Sequence, residues 1–197
     1  MIISNNCVGA RLYQQLNKEY DTPFIWCRVY YDDILHIIDG FKNVLFENYK
    51  LIKKEGVFGI RVDDSFDIMY PHYIKDEKYK VPTQMTGQQG LDIRYCDIEN
   101  YVIEKYKTRI ARITSDNMLY VLIQTPDIDT YEKLTEIQKK LINKGVKSII
   151  VTNVKNLKNF ETKDNKILVS NQKLNEMSTI AIAKEILKKI DVMKLLK

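Results

Sequence analysis

The chain has 197 residues, 45% hydrophobic and 29% charged, with 31 basic and 26 acidic side chains for a net charge of +5. That is the profile of one ordinary globular domain, expected over 1–197, and it excludes a disordered or disulfide-stapled chain. Its lysines are interleaved with acids instead of gathered in a basic stripe, so nucleic acid is not an expected partner.

Ile2-Ile3 is a short β-branched strand signal, followed by Ser4-Asn5-Asn6-Cys7 and then by Leu12, Tyr13 and Leu16 on one helical face. Gly9 and Ala10 are small enough for that helix to lie close to a neighbour. Asp21-Thr22-Pro23 marks a turn, and Phe24–Cys27 reads as a buried strand or an apolar plug. Asp32 is placed to cap a helix carrying Ile34, Leu35, Ile38, Phe41 and Leu45. Residues 56–62 and 66–70, separated by Asp63-Asp64-Ser65, predict a hairpin. Residues 75–95 contain Pro82, Gly87 and Gly90, have little periodicity, and read as a long inserted loop.

A helix is predicted from Asp97 through Ile113. Next comes the best-marked unit: an apolar strand at Met118–Gln124, a helix opened by Asp129 and Glu132 as a capping box, Gly145 at its stop, and a second apolar strand over 147–154. Strand, helix, strand with near-continuous apolar strands is a βαβ unit. The Asn-rich stretch over 153–175 reads as loop, and a last amphipathic helix is predicted over Asn175–Leu195. The fold class is therefore α/β: a mainly parallel sheet with helices on both faces, Rossmann-like and three-layered, with a hairpin and a long loop inserted.

Ligands of such sheets collect outside the carboxyl ends of the strands. Cys7 falls there, at the start of a helix whose free N–H groups favour an anion. A thiolate in that setting is stabilised, and the same N–H groups suit an oxyanion. Of the two histidines, His36 falls within the apolar pattern of the second helix and reads as structural, whereas His72 follows a strand end and is the imidazole available to Cys7, with its orienting group left open among Asp116, Asn117, Asn153, Asp127 and Asp129. Against this stands the ordinary role of a lone cysteine as a small buried filler. Arg109 and Arg112, three apart on one helix, are spaced to clamp a phosphate or carboxylate, or to form a solvated face. No cysteine or histidine spacing suits zinc, and neither a metal nor a cofactor is expected. The last helix, with Lys184, Lys188, Lys189 and Lys194 around its apolar stripe, either docks on the sheet or makes weak contact with a membrane surface. With no signal-like or membrane-length apolar run, a cytoplasmic location is expected.

Ile3-Ser4-Asn5-Asn6-Cys7, Gly9, Tyr13, Thr22-Pro23-Phe24, His72-Tyr73, Arg109, Arg112 and Asp116-Asn117 together resemble an uncharacterised bacterial family. Its members carry the label exopolysaccharide or capsular polysaccharide biosynthesis protein. The resemblance reaches to about Val154 and departs at Val8, where the family has Trp, and at Tyr106, also a family Trp. It implies Cys7 and His72 as catalytic residues and Asn5, Asn6, Tyr73, Arg109, Arg112, Asp116 and Asn117 as ligands of a glycan or anionic sugar donor. A more limited similarity, through Asn6-Cys7 and Pro23-Phe24-Ile25-Trp26, is to a family described as papain-like cysteine peptidases, with Ile25 in place of that family's acid. Two functions follow as expectations: a Cys/His hydrolase or acyl transferase acting on a glycan or its precursor, and a non-catalytic polysaccharide or nucleotide-sugar binding module.

Overall fold

The computed structural model describes residues 1–71, 95–113 and 117–197. A four-stranded parallel sheet is formed by β1 (Ile2–Ser4), β5 (Leu119–Ile123), β6 (Lys147–Thr152) and β7 (Asn165–Val169), in that spatial order. Ile2 stands opposite Leu119, Leu119 opposite Lys147, and Ser148 opposite Asn165. A three-stranded antiparallel sheet is built from β2 (Tyr49–Lys54), β3 (Val57–Val62) and β4 (Phe66–Met69). The parallel order runs in one direction, so no reversal of strand order occurs among the described strands. What is established is a mixed α/β fold with these two sheets and their helices.

β5 is apolar and buried along its length because its alternate residues enter two different clusters. Ile2, Leu119, Val121, Ile149 and Val151 face a cluster made with α1 (Val8–Gln15) and α5 (Thr179–Lys189). Ile3, Tyr120, Leu122 and Ile150 face the cluster shared with α2 (Tyr31–Gly40), α3 (Tyr95–Ile110), α4 (Tyr131–Asn143) and the antiparallel sheet. Gly9 sets the distance of α1 from β1: a Cβ there would stand 2.6 Å from the Ser4 Cβ.

Several local expectations are corrected. The second helix ends at Gly40 and gives way to a 3-10 turn, and Leu45, expected on its apolar face, is exposed. Of the two alternatives for Phe24–Cys27 the apolar plug holds: the segment is irregular, buried at Phe24, Ile25 and Cys27, with Trp26 in the left-handed region at φ 54°. The cap of α4 is Thr130, whose hydroxyl accepts from Lys133 N at 3.3 Å, one residue after Asp129. Gly145 ends that helix at φ 64°, where glycine is the residue without a Cβ penalty. The stretch read as Asn-rich loop contains β7. The last helix is broken: α5 is capped by Ser178, Ile190 is extended, and α6 (Val192–Leu195) follows. Its apolar stripe, Ile182, Ala183 and Ile186, is buried on the sheet, and no helix among the described residues is long and apolar enough to cross a membrane. The long loop expected over 75–95 falls almost wholly outside the described residues.

Candidate functional site

Beyond the carboxyl ends of β1 and β5 the chain leaves regular pairing, and its polar side chains take over the backbone's role. Asn5 is buried and clamps β5 like one more residue of strand: its Nδ2 donates to Ile123 O at 2.8 Å and its Oδ1 accepts from Ile123 N at 2.9 Å. The Asn5 carbonyl accepts from Val29 N at 3.0 Å, which draws the 24–30 segment across the strand end. Asn6 Oδ1 accepts from Val8 N at 2.9 Å and so satisfies one free donor of α1. Both amides proposed to hold substrate are thus engaged with the backbone.

Cys7 occupies the cap position of α1, but its side chain makes no capping bond and is 7% exposed. Burial pushes its thiol up to about 11, against the opposing pull of Arg11. Removal from water outweighs the Arg11 charge and acts against the stabilisation expected of a thiolate at a helix start. Cys27 is more deeply buried, with Sγ donating to Ser4 O at 3.5 Å, and burial raises it too. Arg109 turns inward: it is 6% exposed, donates from Nη1 to Ile25 O at 2.8 Å and lies over the Tyr70 ring at 5.3 Å. Arg112 lies past the end of α3 and is exposed, so the two arginines do not present one face. Asn117 sits at the opposite, amino end of the sheet, where its carbonyl accepts from the Met1 amino group at 2.8 Å. From Asn117 to Ile123 is about 20 Å of strand. His72, Tyr73 and Asp116 lie outside the described residues. His36 is exposed, its Nδ1 2.7 Å from Ser65 O.

A different set of residues lines the open space at this edge. A cleft of about 800 Å³ is bounded by Tyr30, Tyr31, Asp32 and Asp33 at the start of α2, by Lys54 and Glu55 at the tip of the β2–β3 turn, and by Asp127 and Lys133 after β5. Asp127 ties these parts together. Its Oδ2 accepts from Tyr31 N at 3.1 Å, its Oδ1 from Thr125 Oγ1 at 2.8 Å, and its carbonyl from Lys133 Nζ at 2.7 Å. Lys133 also lies over the Tyr31 ring, and Arg28 and Lys54 over that of Tyr30. Asp33 Oδ1 accepts from Asp67 N at 2.9 Å. Burial raises the Asp33 carboxyl, with the nearby Asp67 charge adding to it. Asp67 is itself buried, and although burial would raise it, Arg61 and Lys54 hold it below the usual carboxylate range.

Four carboxylates and two ammonium groups line the cleft, an excess of acid that disfavours phosphate and suits hydroxyl donors. Among the described residues, Asn5, Asn6, Cys7, Arg109, Arg112 and Asn117 do not line it, whereas Asp127, one of the candidate orienting groups, does. The sequence signal for it is Tyr30-Tyr31-Asp32-Asp33, two aromatics and two acids at the entry to a helix; Asp32, expected as the cap, lies in the first turn of α2, whose cap position is Tyr30.

Residues 1–197 match the family described as a domain of unknown function, DUF1919. The chain belongs to the DUF1919 family. No curated protein matches it. Membership of DUF1919 covers the whole chain, so both sheets and both ends of the parallel sheet fall within one family unit.

Proposed function

We propose that this protein is a glycan-binding module of exopolysaccharide production that takes a hydroxyl-rich saccharide in the cleft between Tyr30 and Asp127. The observation that carries this is the lining itself: two tyrosines whose rings are held by cations, beside four carboxylates that outnumber the lysines. Sugar hydroxyls donate to carboxylates, and aromatic walls cover the apolar faces of a pyranose. The backbone engagement of Asn5 and Asn6 and the inward turn of Arg109 support a rigid rim in preference to a ligand shell. The resemblance to exopolysaccharide proteins supplies the substrate class.

The test is retention on an array of neutral and uronic-acid-containing bacterial oligosaccharides. Binding by the wild type, lost in Tyr30→Ala and Asp32→Asn but kept in Cys7→Ser, is the expected result. Absence of binding, or binding that ignores both cleft variants, overturns the proposal. A second reading is a Cys7-dependent hydrolase or acyl transferase with His72 as proton shuttle, supported by the place of the sulfur at the start of α1 one turn before Arg11. A Cys7→Ser chain that folds normally yet abolishes polysaccharide production would establish that reading over the first.

A further inference from the structure

At the opposite edge of the parallel sheet the charge balance is reversed. A concavity of about 590 Å³ lies where β6 and β7 begin and where α5 ends. Lys147 opens β6, Lys158 comes from the 3-10 turn after it, Lys163 and Lys166 flank the start of β7, and Lys189 and Lys194 come from the end of α5 and from α6. Three carboxylates share the lining, and two are already committed. Glu161 pairs with Lys158 and accepts from Ile167 N at 3.2 Å. Asp191 caps α6, accepting from Lys194 N at 3.0 Å. Among the described residues Lys147, Lys163 and Lys194 have no carboxylate partner. Lys166 Nζ is 3.2 Å from Thr162 O and also lacks one. Lys189 pairs with Glu185, outside the lining, at 2.8 Å, so once Asp164 and Asp191 are counted two formal positive charges are left over in a concave site whose floor, at Leu168, Ile190 and Leu195, is apolar.

A concave wall with an excess of one sign over a low-dielectric floor focuses its field on whatever enters. Lysine ammonium groups are point charges with three donors each, suited to phosphate oxygens approached from several sides. The volume lies in the range of small-ligand sites and exceeds what a single phosphate fills. We propose that this basin binds a ligand carrying two or more linked phosphates, its organic part resting on Ile190 and Leu195. The proposal is independent of the saccharide cleft, which lies at the other end of the strands. The shared chemistry has two sources, a soluble diphosphate ester and a phosphorylated lipid headgroup.

The experiment uses the full chain with sodium pyrophosphate in isothermal titration, and in parallel with phosphatidylcholine vesicles with and without diacylglycerol pyrophosphate. Saturable pyrophosphate binding is expected. It should weaken with added salt and fall about fivefold in Lys147→Gln and in Lys194→Gln. It should be unchanged in Lys184→Gln, an exposed α5 lysine outside the lining. Binding confined to the diacylglycerol pyrophosphate vesicles, with the same dependence on Lys147 and Lys194, assigns the basin to a diphosphorylated lipid headgroup. Binding of neither probe, or an equal loss in Lys184→Gln, overturns the proposal by showing only diffuse surface charge.

Discussion

Replacing Asn5 tests whether the SNNC segment is a scaffold or a ligand shell. The Asn5 amide satisfies both the N–H and the C=O of Ile123, at 2.9 and 2.8 Å, in a position that is 1% exposed. Asn5→Ala leaves both backbone groups buried without partners. Each such group costs about 1–3 kcal/mol, so the sum is about 2–6 kcal/mol, with a centre near ~4. For a chain of this size each kcal/mol moves the melting temperature by about 2–4 °C, which gives a fall of about 8–16 °C by circular dichroism. Asn5→Asp sharpens the test. An ionised carboxylate still accepts from Ile123 N but faces Ile123 O with a like partial charge, whereas a protonated carboxyl restores both bonds. The folded state therefore raises the affinity of this Asp for its proton. Its deficit is full at pH 7 and shrinks as pH falls toward the unfolded carboxylate value near ~4. A melting temperature for Asn5→Ala within about 3 °C of wild type, or an Asn5→Asp deficit that is flat from pH 7 to 4, would refute the clamp and free the amide for a ligand.

Three further outcomes follow from single residues. Asp33, raised by burial, binds its proton more tightly when folded, so Asp33→Asn should raise the melting temperature at pH 7, and the gain should vanish below the unfolded carboxylate range; a constant gain at all pH values would contradict the cause. Gly9→Ala gains about 1 kcal/mol of helix propensity but forces a contact of 2.6 Å with Ser4, so thermal melting should show a net loss of about 1–2 kcal/mol, and a stabilised variant would mean that α1 has room to move. With its thiol at about 11, Cys7 should react with iodoacetamide at pH 7 about two orders of magnitude more slowly than N-acetylcysteine, with a rate still climbing above about pH 9. Labelling at the rate of a free thiol, read by peptide mass spectrometry, would refute the effect of burial, and labelling faster than that would restore the activated nucleophile.

What the sequence determined by itself is what local pattern can encode. The β5–α4–β6 unit, the β3–β4 hairpin and the stop at Gly145 each rest on periodicity or on a backbone conformation that one residue type satisfies. Gly9 belongs with them, because smallness at a helix face has one common use. The tertiary structure decided the rest, because there each outcome depends on a partner far along the chain. Asn5 meets Ile123 across 118 residues, and Arg109 meets Ile25 across 84, so neither side chain could be assigned to backbone or to ligand from its neighbours in sequence. β2 and β7 are half-polar, and only pairing with β3 and β6 makes them strands. Helix position favours a Cys7 thiolate while burial opposes it, and burial is a property of the packed molecule alone. The two charged concavities at opposite ends of the parallel strands arise in the same way, from lysines and carboxylates scattered in sequence and sorted by the fold to one edge or the other.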